Sequence, residues 1–347
     1  VQTTVADALA HHMPFPWSQI GHLYAPVVNH AAWLWRLLWW LTDSPRRTHR
    51  LFLAWRPWRG PKLRQLFLAV GPDAVISVHP TCNHLGVWTL RQMGWQTPFV
   101  TVVTDLVRAH PLWLCPQASL CLTATEEARQ DALRAGLSPE KTHVVGLPVS
   151  LRFARCLPDG HSIRASLGMR SDLPIVLLMG GGEGVGRLHE VARGIAQARL
   201  PAQLVVVTGR NETLRRRLEA IAWEIPTRIE GFVDNVPEWM AAADVLVTKA
   251  GPGLLSEAFI AGLPLVLNGA IPGQEVPNVD YVVARGAGIA EANPACIAEW
   301  LAERLRPDDE TLARMALAAR RLARPDAAPQ IARKVIALLP DCFSKAG

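Results

Sequence analysis

The sequence predicts an α/β protein of two domains, each a parallel sheet covered by helices on both faces. Three observations lead there. From Pro72 onward, short apolar runs alternate with helical patterns, as parallel strands joined by crossover helices require. Two of those runs end in glycine clusters. The chain has 347 residues, half of them apolar, enough for two sizeable cores.

Taken in order, the first notable stretch is Ala31–Leu41, apolar but about half the length a membrane-spanning helix needs, and containing Arg36. We expect neither a transmembrane helix nor a cleavable signal peptide. Between Trp33 and Leu68, eight basic residues (Arg36, Arg46, Arg47, Arg50, Arg56, Arg59, Lys62, Arg64) face one acid, Asp43, interleaved with Trp33, Trp35, Trp39, Trp40, Trp55 and Trp58. Tryptophan prefers the headgroup level of a bilayer, and each basic residue near an anionic surface is worth about 1 kcal/mol. Such a composition also suits nucleic acid, or a core that takes the tryptophans while the arginines are solvated. A membrane surface is favoured over nucleic acid because the aromatics cluster in an apolar helix-like run and no nucleic-acid motif accompanies them.

Strands are expected at Ala74–Val78, Phe99–Val103, Ser119–Thr123 and Thr142–Val145, then at Ile175–Met179, Leu204–Thr208, Thr227–Glu230, Val245–Thr248, Leu265–Leu267 and Gly288–Ala290. Helical patterns include Glu126–Ala135, Leu188–Ala198, Glu212–Ala222 and Ala295–Leu305. The stretch from Gly146 to Gly160 breaks the alternation and reads as a linker. Domains are therefore expected at 1–148 and 149–325; the end from Asp308 to about Leu339 is rich in Ala, Leu and Arg at helical spacing, and 326–347 is expected as a C-terminal helix that crosses back to the first domain. Cys82, Cys115, Cys121, Cys156, Cys296 and Cys342 show no metal-like or paired spacing, so reduced thiols and no structural metal are expected.

The turn Lys249-Ala250-Gly251-Pro252-Gly253 follows a buried-type strand and opens a helix, so backbone N–H groups point where an anion would sit. Glu257, one helical turn in, is placed to accept from sugar hydroxyls. Gly-Pro-Gly is equally an ordinary strand-to-helix turn. A second cluster, Gly180-Gly181-Gly182-Glu183-Gly184-Val185-Gly186, strengthens the phosphate reading, yet fits neither the dinucleotide fingerprint nor a P-loop.

Further motifs carry a resemblance: Ser77-Val78-His79-Pro80, Val103-Thr104-Asp105-Leu106, His110-Pro111-Leu112-Trp113, Gly146-Leu147-Pro148-Val149, Gly209-Arg210-Asn211 and Ile271-Pro272-Gly273-Gln274-Glu275, together with both glycine turns. From about Trp17 to about Trp300 the chain resembles the monogalactosyldiacylglycerol synthases and processive diacylglycerol glucosyltransferases, relatives of the peptidoglycan N-acetylglucosaminyltransferase. The resemblance implies a GT-B fold, with two doubly wound domains facing a cleft, the C-terminal one holding a UDP-sugar and the N-terminal one offering acceptor and membrane surface. It implies an inverting transfer of galactose from UDP-galactose to diacylglycerol by a peripheral enzyme on the cytoplasmic membrane face, with UDP-glucose as the alternative donor. The UDP-sugar is then a substrate, and no bound cofactor or metal is expected, because amides and helix N-termini can stabilise a UDP leaving group.

On this resemblance Gly181, Gly182 and Glu183 line one side of the diphosphate and Lys249, Gly251, Pro252 and Gly253 the other. Arg210 supplies charge near the phosphates, with Asn278 a weaker candidate of the same kind, the backbone of Val233 meets uracil, Glu257 holds the ribose, and Gln274 and Glu275 bind hydroxyls of the donor sugar. Asn211, Phe232 and Pro272 are expected in the same donor-binding set. For acceptor and membrane, Trp113 resembles a family position associated with lipid contact, and His84 and His110, in loops that follow strand ends, are placed to line the cleft, joined by the basic tryptophan stretch. Family members begin with a strand and a Gly-Gly-Gly-His loop that carries their base candidate. This chain begins at Val1 and enters the pattern after that element, and His11 and His12 follow no glycine run. The expectation is a chain that is either N-terminally truncated or without the usual base, and therefore either an enzyme or a non-catalytic UDP-binding membrane module. His79 and Asp105 are the weaker candidates for the base.

Overall fold

The computed structural model describes residues 2–8, 31–44, 47, 48, 50, 62–154, 160–184 and 186–339. His11, His12, Arg46, Trp55, Arg56, Trp58, Arg59, Cys156, Val185, Cys342 and the linker residues 155–159 lie outside them. The chain divides into two units, Val1–Pro148 with Asp326–Gly347, and Val149–Pro325.

In the first unit, helix α1 (Ala32–Thr42) and a helical stretch at 62–70 precede the sheet. Strand β1 (Val75–Ser77), helix α2 (Asn83–Gln92), β2 (Phe99–Val102), β3 (Leu120–Thr123), α3 (Glu126–Arg134) and β4 (Thr142–Val144) then follow. The four strands are parallel in the order β1-β2-β3-β4. Helix α3 starts where the sequence dictates: the Thr125 hydroxyl accepts from the Ala128 N–H, and Glu126 and Glu127 meet the positive end of the helix dipole.

The second unit holds a six-stranded parallel sheet in the order β10-β9-β8-β5-β6-β7. Its elements are α4 (Gly160–Ser166), β5 (Ile175–Met179), α5 (Leu188–Gln197), β6 (Gln203–Val207), α6 (Glu212–Glu219), β7 (Thr227–Glu230), α7 (Val236–Ala242) and β8 (Val245–Lys249). After them come α8 (Pro252–Ala261), β9 (Leu265–Gly269), α9 (Val276–Ala284), β10 (Gly288–Ala290), α10 (Pro294–Arg304) and α11 (Thr311–Leu322). The chain winds outward from β5 through β6 and β7, then returns to place β8 on the other side of β5. The strand order therefore reverses between β5 and β8, and their carboxyl ends mark the switch point where open α/β sheets bind ligands. One buried face packs Val176, Leu178, Leu204, Val206 and Val247 against Val191 and Ile195 of α5 and Ile297 and Leu301 of α10. The final helix, α12 (Ala327–Ile336), belongs to the first unit, where Ile331 and Val335 pack with Val100, Val102, Leu122 and Val145.

All ten expected strands are present; three match at both ends and the others differ by one or two residues. β6 begins earlier, at Gln203, because that side chain is spent on the backbone: it accepts from the Arg170 N–H and donates to the Arg170 and Leu173 carbonyls. A polar residue so satisfied can open a buried strand. Helix α6 ends before the expected Ala222, where the Trp223 indole N–H donates to the Leu218 carbonyl at 3.2 Å. Leu122, fully buried between β2, β4 and α12, gives a direct test: Leu122→Ala should cost about 2–5 kcal/mol and lower the first unit's urea midpoint.

Candidate active site

At the reversal point, the loop after β5 and the loop after β6 lock together through glycine. Gly184 and Gly209 both adopt left-handed backbone, with φ 57° and 60°. A Cβ on Gly184 would lie 2.2 Å from the Thr208 carbonyl oxygen, and one on Gly209 would lie 2.3 Å from that of Gly182. The Arg210 N–H donates to the same Gly182 carbonyl at 2.8 Å. In the sequence, Gly184 belongs to the second glycine cluster and Gly209 to the Gly209-Arg210-Asn211 motif, but neither pattern assigns this interlocking role.

Opposite them, α8 begins at Pro252 with Gly251 as its N-cap and no side-chain cap, so its first N–H groups remain available to an anion. A Cβ placed on Gly181 or Gly253 would meet nothing within 4 Å, which leaves open space over both turns. Lys249, at the end of β8, reaches the Glu275 carboxylate at 2.5 Å, and its Nζ lies 3.3 Å from where a Cβ on Gly251 would stand. On the other rim, Arg210 pairs with Glu183 at 2.9 Å and stacks 4.5 Å above the exposed ring of Phe232. Val233 follows it, half-buried.

Glu257 is half-buried and, among the described residues, makes no hydrogen bond or ion pair. Burial pushes its carboxyl up to about 7. Gln274 likewise has a buried side-chain oxygen without a partner. Three other expected donor ligands have their side chains engaged within the protein. Asn211 caps α6 by accepting from the Leu214 N–H at 3.0 Å. Asn278 donates to the Ala250 carbonyl at 2.9 Å, and the carboxylate of Glu275 accepts from Lys249 and from the Ile271 N–H. Pro272 lies in the same loop, between β9 and α9.

In the first unit the structure revises the acceptor-side expectations. Trp113 is only 2% exposed and donates its indole N–H to Asp105 at 2.9 Å, so it offers no surface to lipid. Asp105 also accepts from the His110 N–H, and its buried carboxylate thus fixes the 105–113 loop. His110 is buried against Trp39, with ring centroids 4.4 Å apart, and burial lowers its pKa to about 4. Its Nδ1 accepts from the Leu112 N–H, and its Nε2 lies 3.2 Å from the Thr42 hydroxyl. His79 is half-buried at the end of β1, its Nδ1 3.0 Å from the Thr81 hydroxyl, and burial lowers its pKa too. His84 lies in the first turn of α2, half-buried.

Helix α1 splits its expected membrane residues by face. Trp35 and Trp39 are half-buried, whereas Trp33 and Trp40 are 69% and 60% exposed, beside exposed Arg36, Leu37 and Leu41. These exposed positions recur at helical spacing and form one stripe. Among the described residues, no group of three or more His, Cys, Asp or Glu side chains is arranged to hold a metal ion.

Comparisons with known proteins fit this arrangement. Residues 1–149 match the monogalactosyldiacylglycerol (MGDG) synthase family model, and residues 175–331 match that of the glycosyltransferase family 28 C-terminal domain. The chain is 38% identical over 347 residues to a probable monogalactosyldiacylglycerol synthase 2, chloroplastic, of Oryza sativa subsp. japonica, covering 96% of this chain and 73% of that protein. It is 39% identical over 336 residues to a probable monogalactosyldiacylglycerol synthase, chloroplastic, of Nicotiana tabacum, where 94% of this chain spans 62% of the tobacco protein. Among solved structures, MurG of Acinetobacter baumannii aligns with a TM-score of 0.61 at 17% identity, over 81% of this chain and 78% of that one. HepE of Anabaena in complex with UDP aligns with a TM-score of 0.55 at 18% identity, over 80% and 82%. These likenesses establish the GT-B fold.

The raised pKa of Glu257 has a stability consequence of definite sign. Its folded value, about 7, exceeds the unfolded value of 4.5, so folding loses stability as pH rises between the two, by on the order of 3 kcal/mol above pH 7. Glu257→Gln should therefore raise the melting temperature at pH 8 and leave it nearly unchanged at pH 4. Equal effects at both pH values would show that the carboxyl is not held neutral by burial.

Proposed function

The chain belongs to the monogalactosyldiacylglycerol synthase family, and from that premise we propose that it is an inverting hexosyltransferase that moves galactose from UDP-galactose to the free hydroxyl of diacylglycerol. The observation that carries this reading is the pair of glycine turns at the β5/β8 reversal point, which leave open space beside a helix N-terminus that has no side-chain cap, with half-buried Glu257 one turn behind. In this reading the diphosphate lies over Gly181 and Gly182 on one side and Gly251 to Gly253 on the other. Glu257 accepts from the ribose hydroxyls, the backbone of Val233 meets uracil, and Gln274 meets the hexose.

The diacylglycerol hydroxyl attacks the anomeric carbon, a new C–O bond forms as the bond to the diphosphate breaks, and the hydroxyl proton passes to a base. Negative charge grows on the departing UDP, where the α8 amides and Lys249 stabilise it. Of the histidine and aspartate candidates, His79 fits the base best. Asp105 is committed to its loop and His110 is buried on Trp39, whereas His79 is half-buried and neutral near pH 7.

We assign the acceptor and the membrane to the first unit and the donor to the second. No helix among the described residues is long and apolar enough to cross a membrane. The α1 stripe suits a peripheral seat instead, with Trp33, Leu37, Trp40 and Leu41 entering the interface and Arg36 meeting anionic headgroups.

The test incubates the protein with diacylglycerol in anionic liposomes and offers UDP-galactose and UDP-glucose separately. A β-linked galactolipid from UDP-galactose alone is the expected product. A glucolipid would reassign the donor, and no product with intact UDP binding by calorimetry would mark a non-catalytic UDP-binding module. Replacing both Trp33 and Trp40 by alanine should weaken liposome co-sedimentation roughly tenfold while leaving UDP affinity unchanged. Undiminished co-sedimentation would remove α1 from the membrane contact.

A further inference from the structure

Glu275 sits in the loop expected to read the donor sugar, but its surroundings describe a different task. It is only 2% exposed, and both carboxylate oxygens are taken: Oε1 by the Lys249 ammonium at 2.5 Å, Oε2 by the Ile271 N–H at 2.9 Å. A buried carboxylate is tolerable only when paired and hydrogen-bonded in this way. The Lys249 side chain is the more exposed of the two, 21% against 3%, so the ammonium lies toward the open side and the carboxylate behind it. Nζ stands 3.3 Å from where a Cβ on Gly251 would be, at the turn that opens α8.

The same two loops are joined once more, where the Asn278 side chain donates to the Ala250 carbonyl at 2.9 Å. Within its own segment the Asn278 N–H donates to the Glu275 carbonyl at 3.0 Å. The 271–278 segment is thereby bound to the Lys249–Gly251 turn by one ion pair and one side-chain amide. With Glu275 only 2% exposed and a partner on each oxygen, little of its carboxylate is open to a sugar hydroxyl.

Resting on the reading that this site takes a UDP-hexose, we propose that Glu275 is a positioning residue for the diphosphate: the buried counter-ion that holds Lys249 over the Gly251 turn. It acts on the nucleotide end of the donor through Lys249 and makes no contact with the hexose. Replacing it should therefore weaken UDP and UDP-galactose alike, although UDP carries no sugar.

Calorimetric titration of UDP and of UDP-galactose into wild type, Glu275→Gln, Lys249→Met and the double variant tests this. Glu275→Gln should lower both affinities by the same factor, roughly tenfold, the scale of one charge-assisted hydrogen bond. In the Lys249→Met background it should lower neither further. Melting curves of the four proteins control for folding: replacing both partners should cost less stability than replacing either alone, because no buried charge is left unpaired. The proposal is overturned if Glu275→Gln weakens UDP-galactose while UDP binds as before or more tightly, or if the two substitutions act additively on UDP affinity. Failure of all four proteins, wild type included, to bind UDP would instead overturn the functional reading on which the proposal rests.

Discussion

The second unit depends on the pairing of β5 with β8. Their register, Val176 with Val245 through Met179 with Thr248, brings two segments about seventy residues apart to one edge of open space. A single carboxylate secures the start of that pairing: Asp244 accepts from the Ile175 N–H and from Arg164, each at 2.7 Å. With the strand bases pinned and their middles fully buried, the carboxyl ends are fixed in height relative to one another. The glycine turns on top inherit that precision, and so does any ligand held between them.

Much of this was legible in the sequence because parallel strands buried on both faces leave strong traces. Ile175–Met179 and Val245–Thr248 are continuous apolar runs, and each is followed by glycine where the backbone must turn into a helix. Side-chain roles were less legible, for a physical reason. Motif position shows which loop a residue belongs to but not which partner its polar atoms have found. Glu275 and Glu257 read alike as acids beside glycine turns; one is a buried ion pair and the other a half-buried carboxyl without a partner among the described residues. Trp113 and Trp40 likewise share a residue type, yet one is packed on its own loop and the other faces outward.

The first unit shows the same economy of polar groups around the 105–113 loop. Asp105 gathers the His110 amide and the Trp113 indole, while His110 in turn touches Trp39 and lies within hydrogen-bonding distance of Thr42 on α1. A second tie lies nearby, where Arg108 meets Asp43 just beyond α1 at 2.6 Å. The helix is therefore anchored by its inner face, which explains how it can leave Trp33, Leu37, Trp40 and Leu41 uncovered: docking uses other side chains. An apolar stripe carried on a fixed helix is presented as a rigid surface and does not fold back onto the core.

The glycines around the β5/β8 rim are not equivalent, and the difference bears on how such a site can change over generations. Gly184 and Gly209 each fill their missing side-chain volume with a carbonyl of the opposite loop, so neither can acquire a side chain without displacing backbone that the other needs. Gly253 is different. It lies within a helix, its backbone is ordinary, and the space beyond it is empty. Single-step variation is closed at the first two positions and open at the third, where the fold raises no steric objection to a methyl group. Any intolerance of alanine at Gly253 would then register the outline of the ligand itself.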